Sequence, residues 1–221
     1  MKVVALVAAD AHGSAEPDVL APVHGEPLLT HAVRGLFDSR SVDLVIVTAP
    51  ARHVASYRSA LRALPGAETR VRVLPGGADR AESTRLAFAA VEPGTYQIVL
   101  LHDAARAFTP PATIRAVVSA VAEGAGAVVP VLPVTDTVKL VNADDVVTGT
   151  QDRARLRTVQ SPQGFTEEVF RDVCGADPVS KLGDAVHTVA GHPNALRVAT
   201  PFDLAVAEAM LVRDLDQRGK S

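Results

Sequence analysis

QIVLLHDAARAF, residues 97–108, decides how the chain is read. Its first half is apolar without alternation, the pattern of a strand covered on both faces in a parallel sheet. The run then turns polar at His102 and Asp103, passes two alanines and reaches Arg106. Similar apolar, β-branched runs recur at 3–8 (VVALVA), 42–49 (VDLVIVTA), 70–75 (RVRVLP) and 126–134 (GAVVPVLPV). Between them, 28–37, 53–64, 79–91 and 111–124 carry apolar residues at three- and four-residue spacing, which marks helices. Strands alternating with helices predict an α/β fold: a three-layer, doubly wound, mostly parallel sheet.

The rhythm breaks after Pro133. TVKLV and VVTGT flank the turn-forming NADD, which predicts a β-hairpin inserted in the α/β body, an arm at about 134–158 suited to dimerisation. A helix near 166–174, a short strand at ALRVA (195–199) and a closing helix from Pro201 complete the expected order. At 221 residues, with no repeat and no low-complexity linker, residues 1–221 are expected to form one domain.

Composition narrows the function classes. The chain is 48% hydrophobic and 21% charged, with a formal net charge of -3, so nothing pulls it generally toward nucleic acid or an anionic membrane. The absence of tryptophan and the 4% aromatic content leave few stacking platforms for single-stranded nucleic acid. Cys174 is the only cysteine, which excludes an intrachain disulfide and fits a reducing cytoplasm. No apolar run approaches the roughly 20 residues that cross a bilayer.

In a doubly wound sheet, ligands bind outside the carboxyl ends of the parallel strands, and three motifs fall there. LPGGADRAES (74–83) places Gly76 and Gly77 between a strand and a helix, where they serve either a ribose, base or anion, or simply a tight turn. LLHDAARAF (100–108) offers a carboxylate for a metal or hydroxyl and an arginine for phosphate; the alternative is a structural Asp103–Arg106 pair. The third set lies around the arm: Asp136, Thr137 and Lys139 in TDTVK, Arg153 in QDRARL, and Ser161 to Gln163 in QSPQGF. Together these hydroxyls and cations suit a small phosphorylated substrate, although each alone reads as a solvated or capping residue.

In this order, HDAAR, then D-T-x-K, then S-P-Q-x-F resemble the 2-C-methyl-D-erythritol 4-phosphate cytidylyltransferases of the non-mevalonate isoprenoid pathway, over nearly the whole chain. The resemblance implies a Rossmann-like nucleotidyltransferase fold and a homodimer through the arm. It also implies CMP transfer from CTP to the sugar phosphate, with release of pyrophosphate and Mg2+ carried mainly on the nucleotide phosphates. Ala8, Ala9, Gly76, Gly77, Ser83 and Ala104 would bind nucleotide. Asp103, Arg106, Thr137, Ser161 and Arg153, the last from the partner subunit, would hold the sugar phosphate, while Arg197 would be the catalytic cation in place of the family's usual lysine. No protein-borne metal site is implied. The molybdopterin guanylyltransferases share the fold, but HDAAR with D-T-x-K is foreign to them.

One segment departs from the family. AADAHGSAEPDVL (8–20) stands where the family reads A-A-G-x-G-x-R and then proline and lysine. Asp10 takes the first glycine's place, His12 falls near the second, Ser14 lies near the arginine, Pro17 is kept, and Asp18 replaces the lysine. Ala78 follows the glycine pair where an acid is usual, and Asp184 is the relic of an acidic element. A unit charge about 4 Å from a phosphate is worth roughly 4 kcal/mol at an effective dielectric near 20, so exchanging cation for anion weakens triphosphate binding. The sequence therefore supports two readings: a transferase weak or altered in substrate, and a non-catalytic paralogue that binds a phosphorylated metabolite or a protein.

Overall fold

A computed structural model describes residues 1–9, 18–175 and 177–218, the last six by backbone alone. The chain opens with β1 (Val3–Ala8), followed by a two-residue ladder, β2 (Pro22–Val23) and β3 (Glu26–Pro27), that leads into α1 (Leu28–Asp38). Next come β4 (Leu44–Ala49), α2 (Val54–Leu61), α3 (Ala67–Arg70), β5 (Val71–Pro75), α4 (Arg80–Ala89), β6 (Ile98–Asp103), α5 (Pro111–Ala122) and β7 (Ala127–Pro133). The second part holds β8 (Val138–Val141), β9 (Val147–Gln151), β10 (Arg157–Val159), β11 (Gln163–Thr166), α6 (Glu167–Val173), α7 (Pro178–Leu182), β12 (Val186–Ala190) and α8 (Pro201–Arg218).

The main sheet is parallel through β5, β4, β1 and β6. β11 then runs antiparallel between β6 and β7, while β12 lies parallel to β7, so the sheet is mixed but mostly parallel. Its three layers can be read from β1 alone. Val3, Ala5 and Val7 join the core beneath α1, α2 and α5, and Val4 and Leu6 join the core with α4 and α6. That is the period-two alternation of a strand buried on both sides. Gly164 on β11 allows α5 to pack closely, since a Cβ there would lie 2.5 Å from Val117 Cγ1.

The hairpin forms as expected. β8 pairs antiparallel with β9, and Asn142 Oδ1 closes the turn by accepting from the Asp144 and Val146 amides at 3.0 and 2.9 Å. One expected strand does not form. ALRVA (195–199) is not a strand: β7's free edge is taken by Val186–Ala190, and 195–199 crosses the carboxyl end of the sheet instead. There its backbone finds other partners, with Val198 N donating to Ala105 O at 2.8 Å and Ala195 O accepting from the Arg106 guanidinium at 2.6 Å.

Candidate active site

Parallel pairing aligns the strand ends that build the site. Ala8 lies opposite both Thr48 and Asp103, and Ala49 lies opposite Pro75. At the centre is Asp103, 9% exposed at the tip of β6. Its Oδ1 accepts from the Ala105 amide at 3.0 Å, and its Oδ2 accepts from Arg197 Nε at 3.0 Å and lies 3.7 Å from Arg80 Nη1. Burial alone would raise this carboxyl's pKa, but Arg80, the Ala105 amide and Arg197 outweigh it and hold the group below its ordinary value. Asp103 is therefore a buried anion shared by two arginines from separate elements.

Behind it lies a polar relay. The Asp103 amide donates to Ser161 Oγ at 3.2 Å, and Ser161 Oγ lies 3.1 Å from His102 Nδ1. Ser161 Oγ thus joins the Asp103 backbone to the buried His102 ring. Burial pushes the His102 pKa down to about 4, and the nearby Arg106 and Arg80 charges add to the fall against the opposing pull of Asp103. Ser161 Oγ is thus engaged with both the Asp103 amide and His102, and a bond from this hydroxyl to a phosphate would compete with those contacts.

Arg106 faces away from its sequence neighbour. Its guanidinium donates to Ala195 O at 2.6 Å and to Val159 O at 3.2 Å, tying β10 to the segment before α8. Gln160 closes the same junction by donating to His192 O and accepting from the His192 amide, each at 2.9 Å. The alternative reading, a structural Asp103–Arg106 ion pair, is not what forms: Asp103 pairs with Arg197 and Arg80 instead.

Of the two readings of the glycine pair, the structure shows the tight strand-to-helix turn. Gly76 N donates to Ala49 O at 2.7 Å, Gly77 N to Ser83 Oγ at 3.0 Å, and Ala78 N to Glu82 Oε2 at 2.7 Å. Asp79 caps α4 by accepting from Glu82 N. These amides are used within the turn, so they do not form an open anion cradle. Gly77 is needed because a Cβ there would fall 2.6 Å from Glu82 Cβ.

The structure brings together Asp103, Ala104, Arg106, Ser161 and Arg197, with Ala8 alongside through the Ala104 N to Ala8 O bond of 3.2 Å. Arg80 links the Gly76, Gly77 and Ser83 turn to this group, and the Ala9 carbonyl accepts from Tyr57 Oη at 2.9 Å. Thr137 and Arg153 are not brought in: both are exposed on the arm, where the Arg153 guanidinium donates to the Thr135 carbonyl. Asp10, His12, Ser14 and Pro17 lie outside the described residues. Asp18 is exposed, and its carboxylate accepts from the Leu20 amide at 2.9 Å. Sequence reasoning missed Arg80, the relay through His102 and the brace at Gln160. The signal for Arg80 was its place as the first helical residue after the glycine turn.

Among the described residues, no three His, Cys, Asp or Glu side chains converge, and both Asp103 oxygens are already bonded. This donor set does not fit a metal ion held by protein side chains. Among the described residues, no helix is long and apolar enough to cross a membrane.

Comparison with known proteins adds the chemical context. The family model described as 2-C-methyl-D-erythritol 4-phosphate cytidylyltransferase matches residues 3–213. A relative of that description from Saccharopolyspora erythraea is 51% identical, over 96% of this chain and 100% of its own. Another from Nocardia farcinica is 48% identical, over 96% and 94%. The crystal structure of the Thermus thermophilus 2-C-methyl-D-erythritol 4-phosphate cytidylyltransferase superposes with a TM-score of 0.73 at 30% identity, covering 95% of this chain and 98% of that one. The fold is also that of a 4-diphosphocytidyl-2C-methyl-D-erythritol synthase from Anaerococcus prevotii, with a TM-score of 0.81 at 22% identity over 95% and 96% of the two chains. None of these relatives supports the non-catalytic alternative.

Proposed function

The chain belongs to the 2-C-methyl-D-erythritol 4-phosphate cytidylyltransferase family, and from that premise we propose that it transfers CMP from CTP to 2-C-methyl-D-erythritol 4-phosphate in the cytoplasm. In this reaction a phosphate oxygen of the sugar attacks the α-phosphorus of CTP. The bond from that phosphorus to the bridging oxygen breaks, and pyrophosphate leaves. Two anions meet and charge gathers on the leaving group, so catalysis is mostly positioning and cationic stabilisation.

The observation that carries this reading is the Asp103 carboxylate at the strand ends, gripping Arg197 at 3.0 Å with Arg80 at 3.7 Å. Such a carboxylate fixes the cations before substrate arrives, and Arg197 then faces the reacting phosphates as the catalytic cation. Arg106, held by two carbonyls, shapes the sugar-phosphate side with Ser161. The backbone at Ala8, Ala9 and Ala104 and the turn at Gly76, Gly77 and Ser83 receive the nucleoside. Magnesium enters as part of the substrate, Mg·CTP.

We further place Thr137 and Arg153 against the sugar phosphate of a neighbouring protomer. The support is the arm's exposed apolar surface, with Leu140, Val141, Val146 and Val147 between 50% and 58% exposed. Such a hairpin needs a partner to cover it. Equilibrium sedimentation of the wild type is expected to give a dimer, and Leu140→Asp with Val147→Asp a monomer with at least tenfold lower turnover. A monomeric wild type with full activity would overturn the arm's role.

The loop after β1 makes us expect weaker nucleotide binding than in relatives that carry its cations. A pyrophosphate-release assay tests the function itself: turnover with CTP and methylerythritol phosphate is expected, with GTP at least tenfold poorer. No release with any sugar or polyol phosphate from the folded protein would refute the transferase reading.

A further inference from the structure

We propose that Arg80 binds the triphosphate of CTP and supplies the positive charge that the loop after β1 lacks; this rests on the CTP-using reading above. The sequence sets the requirement. Between Lys2 and Arg34 there is no lysine or arginine, whereas Asp10, Glu16, Asp18 and Glu26 all fall within that span. A triphosphate carries several negative charges, and a site at the strand ends must draw its cations from other elements.

The described structure offers three arginines there. Arg106 is committed to two backbone carbonyls, and Arg197 is bonded to Asp103. Arg80 differs from both. Among the described residues its guanidinium makes no hydrogen bond, and its one ion contact, to Asp103 Oδ2 at 3.7 Å, is longer than a hydrogen bond. Its side chain is 44% exposed, and it lines a cavity of about 400 Å³ with Thr84, Leu101, Gln163 and Asp177. The side chain thus has both donors to spend and room to move.

Its position has an energetic peculiarity. Arg80 is the first residue of α4, where the helix dipole disfavours a cation. Asp79 and Glu82 offset that locally, but their carboxylates are already used in capping the turn. A phosphate group between Arg80 and Arg197 would satisfy the N–H donors of Arg80 and the dipole together, through the planar fork that suits guanidinium to phosphate. Asp103 then acts as a placeholder, keeping Arg80 over the crevice until the nucleotide takes over its charge.

The test separates phosphates from nucleoside. Calorimetric titration of Mg·CTP and of CMP into wild type, Arg80→Ala and Arg80→Lys should show CTP affinity at least tenfold weaker in the alanine variant. CMP affinity should change less than twofold, and lysine should recover part of the loss. Equal weakening of CTP and CMP, or unchanged CTP affinity, would overturn the proposal while leaving the transferase reading intact. A folded wild type that neither binds Mg·CTP nor releases pyrophosphate would instead overturn both. The lysine variant keeps the charge and most of the stem, so a loss confined to alanine cannot be laid to misfolding.

Discussion

Replacing Asp103 with asparagine is expected to lower kcat/KM by at least about a hundredfold, the scale on which removal of one preorganised electrostatic group acts in an active site. The amide keeps its shape and can still accept from Ala105 N at Oδ1, now seen at 3.0 Å. What disappears is the negative charge that draws Arg197 to 3.0 Å and Arg80 to 3.7 Å. Without it the cations repel one another and drift toward water, since their side chains are 36% and 44% exposed. Organising them must then be driven by substrate binding, which drains energy from the transition state. The loss should fall on kcat at least as much as on KM for CTP, with the circular dichroism spectrum unchanged. A variant within fivefold of wild type would show that the arginines hold their places without the carboxylate.

The fold was largely legible because burial on both faces writes itself as continuous apolar runs, as in β1, β4 and β6, where every residue is buried. The arm was legible from NADD, whose asparagine does close the turn. ALRVA misled because a short apolar, β-branched run looks the same whether its amides pair with a strand or with a loop. Only the competition for β7's edge, won by Val186–Ala190, tells the two apart. The site was half legible. HDAAR announced a ligand-facing strand end, but the sequence offered no ion partner for Asp103 other than Arg106, its near neighbour. The actual partners come from α4 and from the segment before α8, and pairings of that separation carry no local signature.

His102 should make stability depend on pH in a window of its own. The ring is fully buried, shares a hydrogen bond with Ser161, and has its pKa pushed down by burial to about 4 from an ordinary value of 6.5. In the unfolded chain it takes a proton near pH 6.5, while in the folded protein it stays neutral to about pH 4. Between those limits the unfolded state binds more protons, so stability falls as pH drops. The depression corresponds to about 3 kcal/mol fully present above pH 7 and lost by about pH 4. His31, also depressed by burial, adds a loss of the same sign, whereas Asp103, held below its ordinary value, costs stability only at lower pH. The charges facing the ring are Asp103, Arg106 and Arg80. Urea unfolding at pH 7.5, 6 and 4.5 is therefore expected to show a steeper decline for wild type than for His102→Gln, by about 2 to 3 kcal/mol between the extremes. Parallel slopes would mean that the ring reaches water in the native state and that the relay to Ser161 opens.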